Sequence, residues 1–323
     1  MNMFKLRDVL MPVLSVIVLS KNNGDTLETC LRSIVKSRVP EGWDREIVVV
    51  DAHSTDNTPY ILKKYSKYIR VVYDEGRGIG IARNIGISNA RGDVICFVDA
   101  DCIVGRDHFV EIVKAMESYD IIDVASDYQR LLSMNIPKLF RYEIFLRMHG
   151  KAYSKKMRED RWFAAGDFIS FKRKVWDQVK FWTYPEFGCD DVDFGFRARL
   201  KGFRIGVVDV RGTVSIHRSR LRDLIREQKG WGRGYAYLIA KYRNTPIVWR
   251  AYHFKPIIYR VLGRYAWLYV IFRFLLPLGV FGVALKARSL GILPYYFLRR
   301  WVYAYSLLRN LKKAFSYYSR KRI

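Results

Sequence analysis

Through its first hundred residues the chain alternates short runs of apolar, β-branched residues with segments of helical spacing, and that alternation leaves few folds open. The runs fall at residues 13–19, 46–50, 69–73 and 94–98, and the helical segments at 26–35, 59–68 and 79–89. In the first of these helices Leu27, Leu31 and Ile34 share one face. The run at 46–50 is apolar on both faces, as strands are when helices cover both sides of a parallel sheet. The expected fold class is therefore α/β, a doubly wound, mostly parallel sheet flanked by helices. Ligands on such sheets bind beyond the carboxyl ends of the strands.

Chemistry-bearing residues gather at those ends. Ser20, Lys21, Asn22 and Asn23 follow the first strand and Asp51 closes the second. The fourth run continues as VICFVDADC over residues 94–102, so Asp99 and Asp101 stand where it should end. If strand alternation continues, both carboxylates point one way and Ala100 points back. Two hard oxygen ligands on a strand tip suit a divalent cation with positions left for phosphates; the competing reading is an ordinary polar turn. Between residues 76 and 86 a glycine-rich entry into a helix would offer N–H groups to an anion, with Arg83 adding a bidentate phosphate contact. It is no dinucleotide fingerprint, because Arg83 occupies a required glycine position and the third strand precedes it.

Further along, FAAGDFISFKRKVW over 163–176 reads as a small-residue turn, a strand and a basic helix start. Asp190 and Asp191 open a helix over 190–200, where the helix dipole accounts for part of their presence and Asp193 can pair with Arg197. His217 follows another strand, as a structural hydrogen-bonder or as a metal ligand.

The net charge of +26 is unevenly spread. Residues 228–323 hold 19 of the 57 basic residues and no acid, which leaves 38 basic against 31 acidic residues, a net of +7, in the remainder. Basic residues interleaved with aromatic and aliphatic clusters fit a region on anionic membrane lipids. The region is too apolar for a solvated nucleic-acid groove, so no nucleic acid is expected. Residues 265–285 carry a single charge, Arg273. Their twelve strongly apolar residues favour insertion by about 4 to 7 kcal/mol and Arg273 opposes by about 3, so a span or a re-entrant, interfacial helical pair is expected there. Residues 292–308 read as amphipathic with an aromatic belt, and a helical subdomain or a homo-oligomer interface is the alternative. Four cysteines without C-x-x-C spacing point to reduced thiols, and the apolar N-terminal stretch reads as a strand and not as an export signal.

These motifs together resemble glycosyltransferase family 2, the inverting nucleotide-sugar transferases of GT-A fold. The resemblance covers roughly residues 13–235 and rests on VLSVIVLSKNN, VVVDAHSTDNT, GIGIARNIGISNARGDVICFVDADC and GCDDVDFGFRARLKG in the family's order and spacing. It implies a transferase domain over 1–235, with a nucleotide-binding half at about 13–105 and an acceptor half at about 106–235; the charge and aromatic pattern of residues 236–323 adds a helical membrane-associated region. It implies donor contacts from Ser20, Asn22, Asp51, Arg83, Asp99 and Asp101. It implies acceptor or sugar contacts from Gly166, Asp167, Asp190 and Trp231, and Asp191 as the base that deprotonates an acceptor hydroxyl. Mg²⁺ or Mn²⁺ would sit at Asp101 and Asp99 with His217. Ala52 stands where the family usually has a second acid, which leaves a UDP- or a GDP-sugar open as donor. Asp190 stands for a more usual Glu. Gly232 replaces the tryptophan of the Q-x-x-R-W motif of processive relatives, so repeated polymerisation is not expected. The expected acceptor is a glycan or lipid-linked sugar at the cytoplasmic face of the cell membrane. Transfer to a polyprenyl phosphate, which needs no base, and a non-catalytic scaffold or nucleic-acid binder using the basic tail are the alternatives.

Overall fold

The structure, a computed structural model, describes residues 11–149, 161–164, 166–183, 188–216, 221–243, 245, 265, 268 and 280–320. The elements open in the expected alternation: β1 Val13–Ser20, α1 Leu27–Lys36, β2 Asp44–Asp51, α2 Thr58–Lys64, β3 Arg70–Tyr73, α3 Ile79–Ser88 and β4 Val94–Phe97. There follow β5 Cys102–Ile103, α4 His108–Ala115, β6 Ile121–Ala125, α5 Tyr128–Ser133, α6 Lys138–His149, β7 Ser170–Lys172, α7 Arg173–Gln178 and α8 Asp190–Leu200. The chain closes with β8 Ile205–Asp209, β9 Val214–Ser215, α9 Leu221–Lys241, α10 Val280–Lys286 and α11 Ile292–Arg320.

Seven strands form one sheet in the order β3-β2-β1-β4-β7-β6-β8, parallel except for β7, which runs against both neighbours. Side-chain alternation divides the sheet's two faces. Val16, Val18, Val49 and Cys96 pack with Leu27, Leu31, Ile61 and Phe109 of α1, α2 and α4 on one side. Ile17, Val48, Val50 and Phe97 pack with Ile87, Val175 and Phe194 of α3, α7 and α8 on the other. Under the first layer His108 is fully buried; burial pushes its imidazole down to about 3, so it is neutral, with Nδ1 3.0 Å from Thr213 Oγ1.

Register decides what reaches the carboxyl edge. Ser20 is paired with Asp51 and Asp51 with Tyr73, so the ends of three strands form one row. Because β7 is antiparallel, its amino end lies at this same edge, and the short helical turn Gly166–Phe168 arrives beside the tip of β4. The Asp99 N–H accordingly donates to the Asp167 carbonyl at 3.1 Å.

One local expectation is corrected. β4 ends at Phe97, and the Cys102 N–H donates to the Asp99 carbonyl at 2.9 Å, so Asp99 and Asp101 sit on a tight turn and not on alternating strand positions. The chain bends there because Ala100 and Cys102 are drawn into the core and Cys102 pairs with Ser215 in a second, two-stranded sheet.

At the C-terminal side, α9 runs unbroken through residue 235, and α11 packs along it through Tyr237, Tyr303, Leu307 and Leu311. Gly232 makes the approach possible, since a Cβ there would lie 2.3 Å from the Tyr303 carbonyl oxygen; the tryptophan of processive relatives would not fit. No helix among the described residues is long and apolar enough to cross a membrane. The expected span at 265–285 lies outside the described residues, apart from 265, 268 and the start of α10.

Candidate functional site

The edge of the sheet carries two groups of polar residues. On the β1–β2–β3 side, Asp51 is buried and accepts from both the N–H and the Oγ of Ser54, at 2.9 and 2.6 Å. Asn22, in the left-handed region at φ 52°, donates its N–H to Ser54 Oγ at 2.8 Å and accepts the Thr55 N–H on Oδ1 at 2.9 Å. Asp51 and Asn22 thus shape the loop over 52–55 as well as facing the edge. Ser20 Oγ is buried without a hydrogen-bond partner among the described residues. Sequence reasoning passed over Tyr73, whose exposed ring stacks on that of His53 at 5.2 Å and 14°. Its signal was its place as the last residue of the third strand.

On the β4–β7 side, one buried guanidinium, that of Arg83, acts on the carboxylates of Asp99, Asp190 and Asp191. Arg83 is buried, with Nε 3.0 Å from Asp190 Oδ2 and Nη2 donating to the Gly166 carbonyl at 3.3 Å. Its guanidinium lies 4.6 Å from the centroid of Phe97 and 5.4 Å from that of Phe181. The structure therefore brings Arg83, expected among the donor contacts, to the acid pair at the start of α8. Glycine at 166 leaves room for both groups, since a Cβ there would lie 2.6 Å from Arg83 Nη2 and 3.3 Å from Asp191 Oδ2 and the guanidinium would have to shift.

Asp191 is half-buried and held on both oxygens: the Gly166 N–H donates to Oδ2 at 2.9 Å and the Val192 N–H to Oδ1 at 2.8 Å. Burial, then the charge of Asp190, push its carboxyl up to about 7, against the pull of Arg83 and these two N–H groups. Burial also raises Asp190, with Arg83 opposing. Asp99 is driven well above the usual carboxylate range by burial first and then by Asp167, with Asp101 and Asp190 adding and Arg83 opposing. These are the surroundings in which a general base and a cation-binding carboxylate are found.

The start of α8 is fixed from behind. Asp193 is fully buried and accepts from Arg197 Nε at 2.6 Å, from the Tyr242 hydroxyl at 2.8 Å and from Lys241 Nζ. The expected Asp193–Arg197 pair is present, and Lys241 and Tyr242, unforeseen in sequence, tie α8 to the end of α9.

Two expected site residues remain, Trp231 and His217. Trp231 packs against the α9–α11 cluster, which also holds Cys189 and Val192 on either side of the acid pair, with the Arg299 guanidinium 5.8 Å from its ring and its backbone carbonyl 4.0 Å from Cys189 Sγ. His217 lies outside the described residues, although the Ile216 N–H just before it donates to the Asp101 carbonyl at 3.0 Å. Among the described residues no group of three His, Cys, Asp or Glu side chains is assembled to hold a metal. Asp99 and Asp101 nonetheless fit a divalent cation in chemical character: two hard oxygen donors on one turn, in surroundings where like charges oppose ionisation and a cation would relieve them.

Fold and edge define the class, a GT-A-type α/β protein with a mostly parallel seven-stranded sheet. The profile of glycosyl transferase family 2 matches residues 15–179, and the chain belongs to that family. It is 35% identical over 116 residues to an uncharacterized Escherichia coli K12 glycosyltransferase, YibD, covering 35% of this chain and 32% of that protein. It is 38% identical over 94 residues to a Bacillus subtilis protein described as a putative teichuronic acid biosynthesis glycosyltransferase, TuaG, covering 28% and 36%. The matched stretch thus spans about a third of either relative's length. Among solved structures, the Pyrobaculum calidifontis mannosyltransferase PcManGT, in complex with GDP-Man and Mn²⁺, superposes with a TM-score of 0.61 at 20% identity, covering 94% of this chain and 88% of that one. At that identity the likeness speaks for the fold.

Proposed function

We propose that this glycosyltransferase moves a sugar from a nucleoside-diphosphate sugar to an acceptor hydroxyl by a single displacement with inversion. The observation that carries the reading is the placement of Asp191. Its part-buried carboxylate is anchored through the Gly166 N–H to the turn whose next residue, Asp167, bonds Asp99. Base and donor turn are thereby joined through two consecutive residues.

In this mechanism Asp191 accepts the proton of the acceptor hydroxyl as that oxygen forms a bond to the anomeric carbon. The bond from that carbon to the diphosphate oxygen breaks on the opposite face. Arg83 keeps Asp190 in place, and its charge offsets the repulsion between Asp190 and Asp191. Asp51, Ser20 and the 52–55 loop receive the nucleoside, and Gly166 and Asp167 face the transferred sugar. Asp99 and Asp101 would hold Mg²⁺ or Mn²⁺, with His217 as a further ligand; when bound, the cation stabilises negative charge on the departing diphosphate. A polyprenyl phosphate acceptor would leave Asp191 without a task, so the contacts that hold Asp191 favour a hydroxyl.

We place the acceptor among lipid-linked or cell-envelope glycans at the cytoplasmic face of the membrane, supported by the TuaG relative and the basic, aromatic C-terminal region. The test is the anomeric configuration of the sugar released or transferred, followed by proton NMR in the first minutes before mutarotation. Inversion relative to the donor is expected, and retention would refute the single displacement.

A further inference from the structure

The helix α11 has two working faces. The inner one joins it to the α/β body: Tyr303 and Leu307 pack on α9, and Arg299 reaches Glu143 Oε2 on α6 at 3.0 Å. The outer one is apolar where a solvated surface helix would be charged. Leu298, Trp301, Tyr305 and Leu308, three or four residues apart and so on one face, are 37%, 56%, 58% and 44% exposed. The patch continues onto α10, because the Phe297 ring lies 5.9 Å from Trp301 and 6.5 Å from Phe281, and Phe281 and Leu285 are exposed one turn apart. Towards the helix end the same outer face turns basic, with Arg309, Lys312 and Lys313 exposed.

We propose that this outer face of α11, with the adjoining face of α10, docks on an anionic lipid bilayer, lying in the interface and not crossing it. Charge names the occupant: residues 228–323 hold 19 basic residues and no acidic one, which a second copy of the same face would repel and an anionic headgroup layer would attract. An apolar stripe of leucine, tryptophan and tyrosine bordered by lysine and arginine is the composition of an interfacial helix. Since α9 and Glu143 hold α11 to the body, docking would set the carboxylate cluster at a fixed height above the lipid. The inference sharpens the membrane placement proposed above and is independent of the transfer chemistry.

The test is co-sedimentation of the full chain with phosphatidylcholine vesicles, with and without phosphatidylglycerol. Wild type should bind the anionic vesicles and only weakly the neutral ones. A triple variant, Trp301→Ser with Tyr305→Ser and Leu308→Ser, should lose about tenfold or more in binding, and so should Lys312→Glu with Lys313→Glu. Unchanged thermal melts would show that both variants remain folded. Failure of wild type to bind anionic vesicles, or equal binding by folded variants, would overturn the proposal. So would variants that break a dimer without altering vesicle binding, which would assign the face to a second copy. Nucleotide-sugar binding measured without vesicles separates the two readings: its absence would sink the transferase mechanism and leave the docking result standing.

Discussion

Asp191→Asn is expected to leave the nucleotide sugar bound while slowing transfer by ~10² to 10⁴-fold, the contribution of a positioned general base. Asn keeps the shape and can still accept the Gly166 and Val192 N–H bonds, so the turn at residue 166 should survive. The direction of the pH dependence follows from the same carboxyl. With Asp191 pushed up to about 7, the protonated and inactive form dominates below that pH, so kcat/KM should rise as pH passes through about 7 and level off above it. In Asp191→Asn that rise should vanish from the residual rate. Transfer at the wild-type rate, or an unaltered pH profile in the variant, would remove Asp191 from the role.

Asp193→Ala is expected to cost about 3 to 5 kcal/mol of stability, read from urea unfolding, because removing one member of a buried ion network strands the others. The lower end is favoured, since Arg197 and Lys241 keep 29% and 21% of their side-chain surface in water and can partly rehydrate. The Tyr242 hydroxyl loses its acceptor in the same substitution. A loss below about 1 kcal/mol, the value of an exposed pair, would mean that the network does not hold α8 to α9.

Much of the fold could be read from sequence because four short apolar, β-branched runs alternate with helical spacing and the run at 46–50 is apolar on both faces. That pattern fixes a covered parallel sheet, and the sheet in turn fixes where Ser20, Asp51 and the Asp99 turn must lie. β7 was less legible. Three residues, Ser170–Lys172, carry little periodicity, and their reversed direction depends on pairing with β4 and β6, far away in sequence. The contact between Asp167 and Asp99 follows from that reversal and was therefore hidden. Arg83 illustrates a second limit. A glycine-rich helix entry suggests phosphate, but the partner that holds this guanidinium, Asp190, is brought to it by the packing of α3 against α8. Residues 292–308 read in sequence as amphipathic with an aromatic belt; the structure divides the apolar residues of α11 between an inner face against α9 and an exposed outer face, a division that depends on packing with α9.

The central claim is that the carboxyl edge of this sheet receives a nucleoside-diphosphate sugar, and thermal unfolding of the full chain with UDP- and GDP-sugars, with and without Mn²⁺, measures it most directly. A ligand that binds only the folded state contributes about 2.7 kcal/mol at one hundred times its Kd, enough to raise the midpoint of a chain this long by about 4 °C. One nucleotide class should produce that shift, the shift should require Mn²⁺ or Mg²⁺, and Asp99→Asn with Asp101→Asn should abolish it. No shift with any nucleotide sugar in the presence of metal would contradict the account.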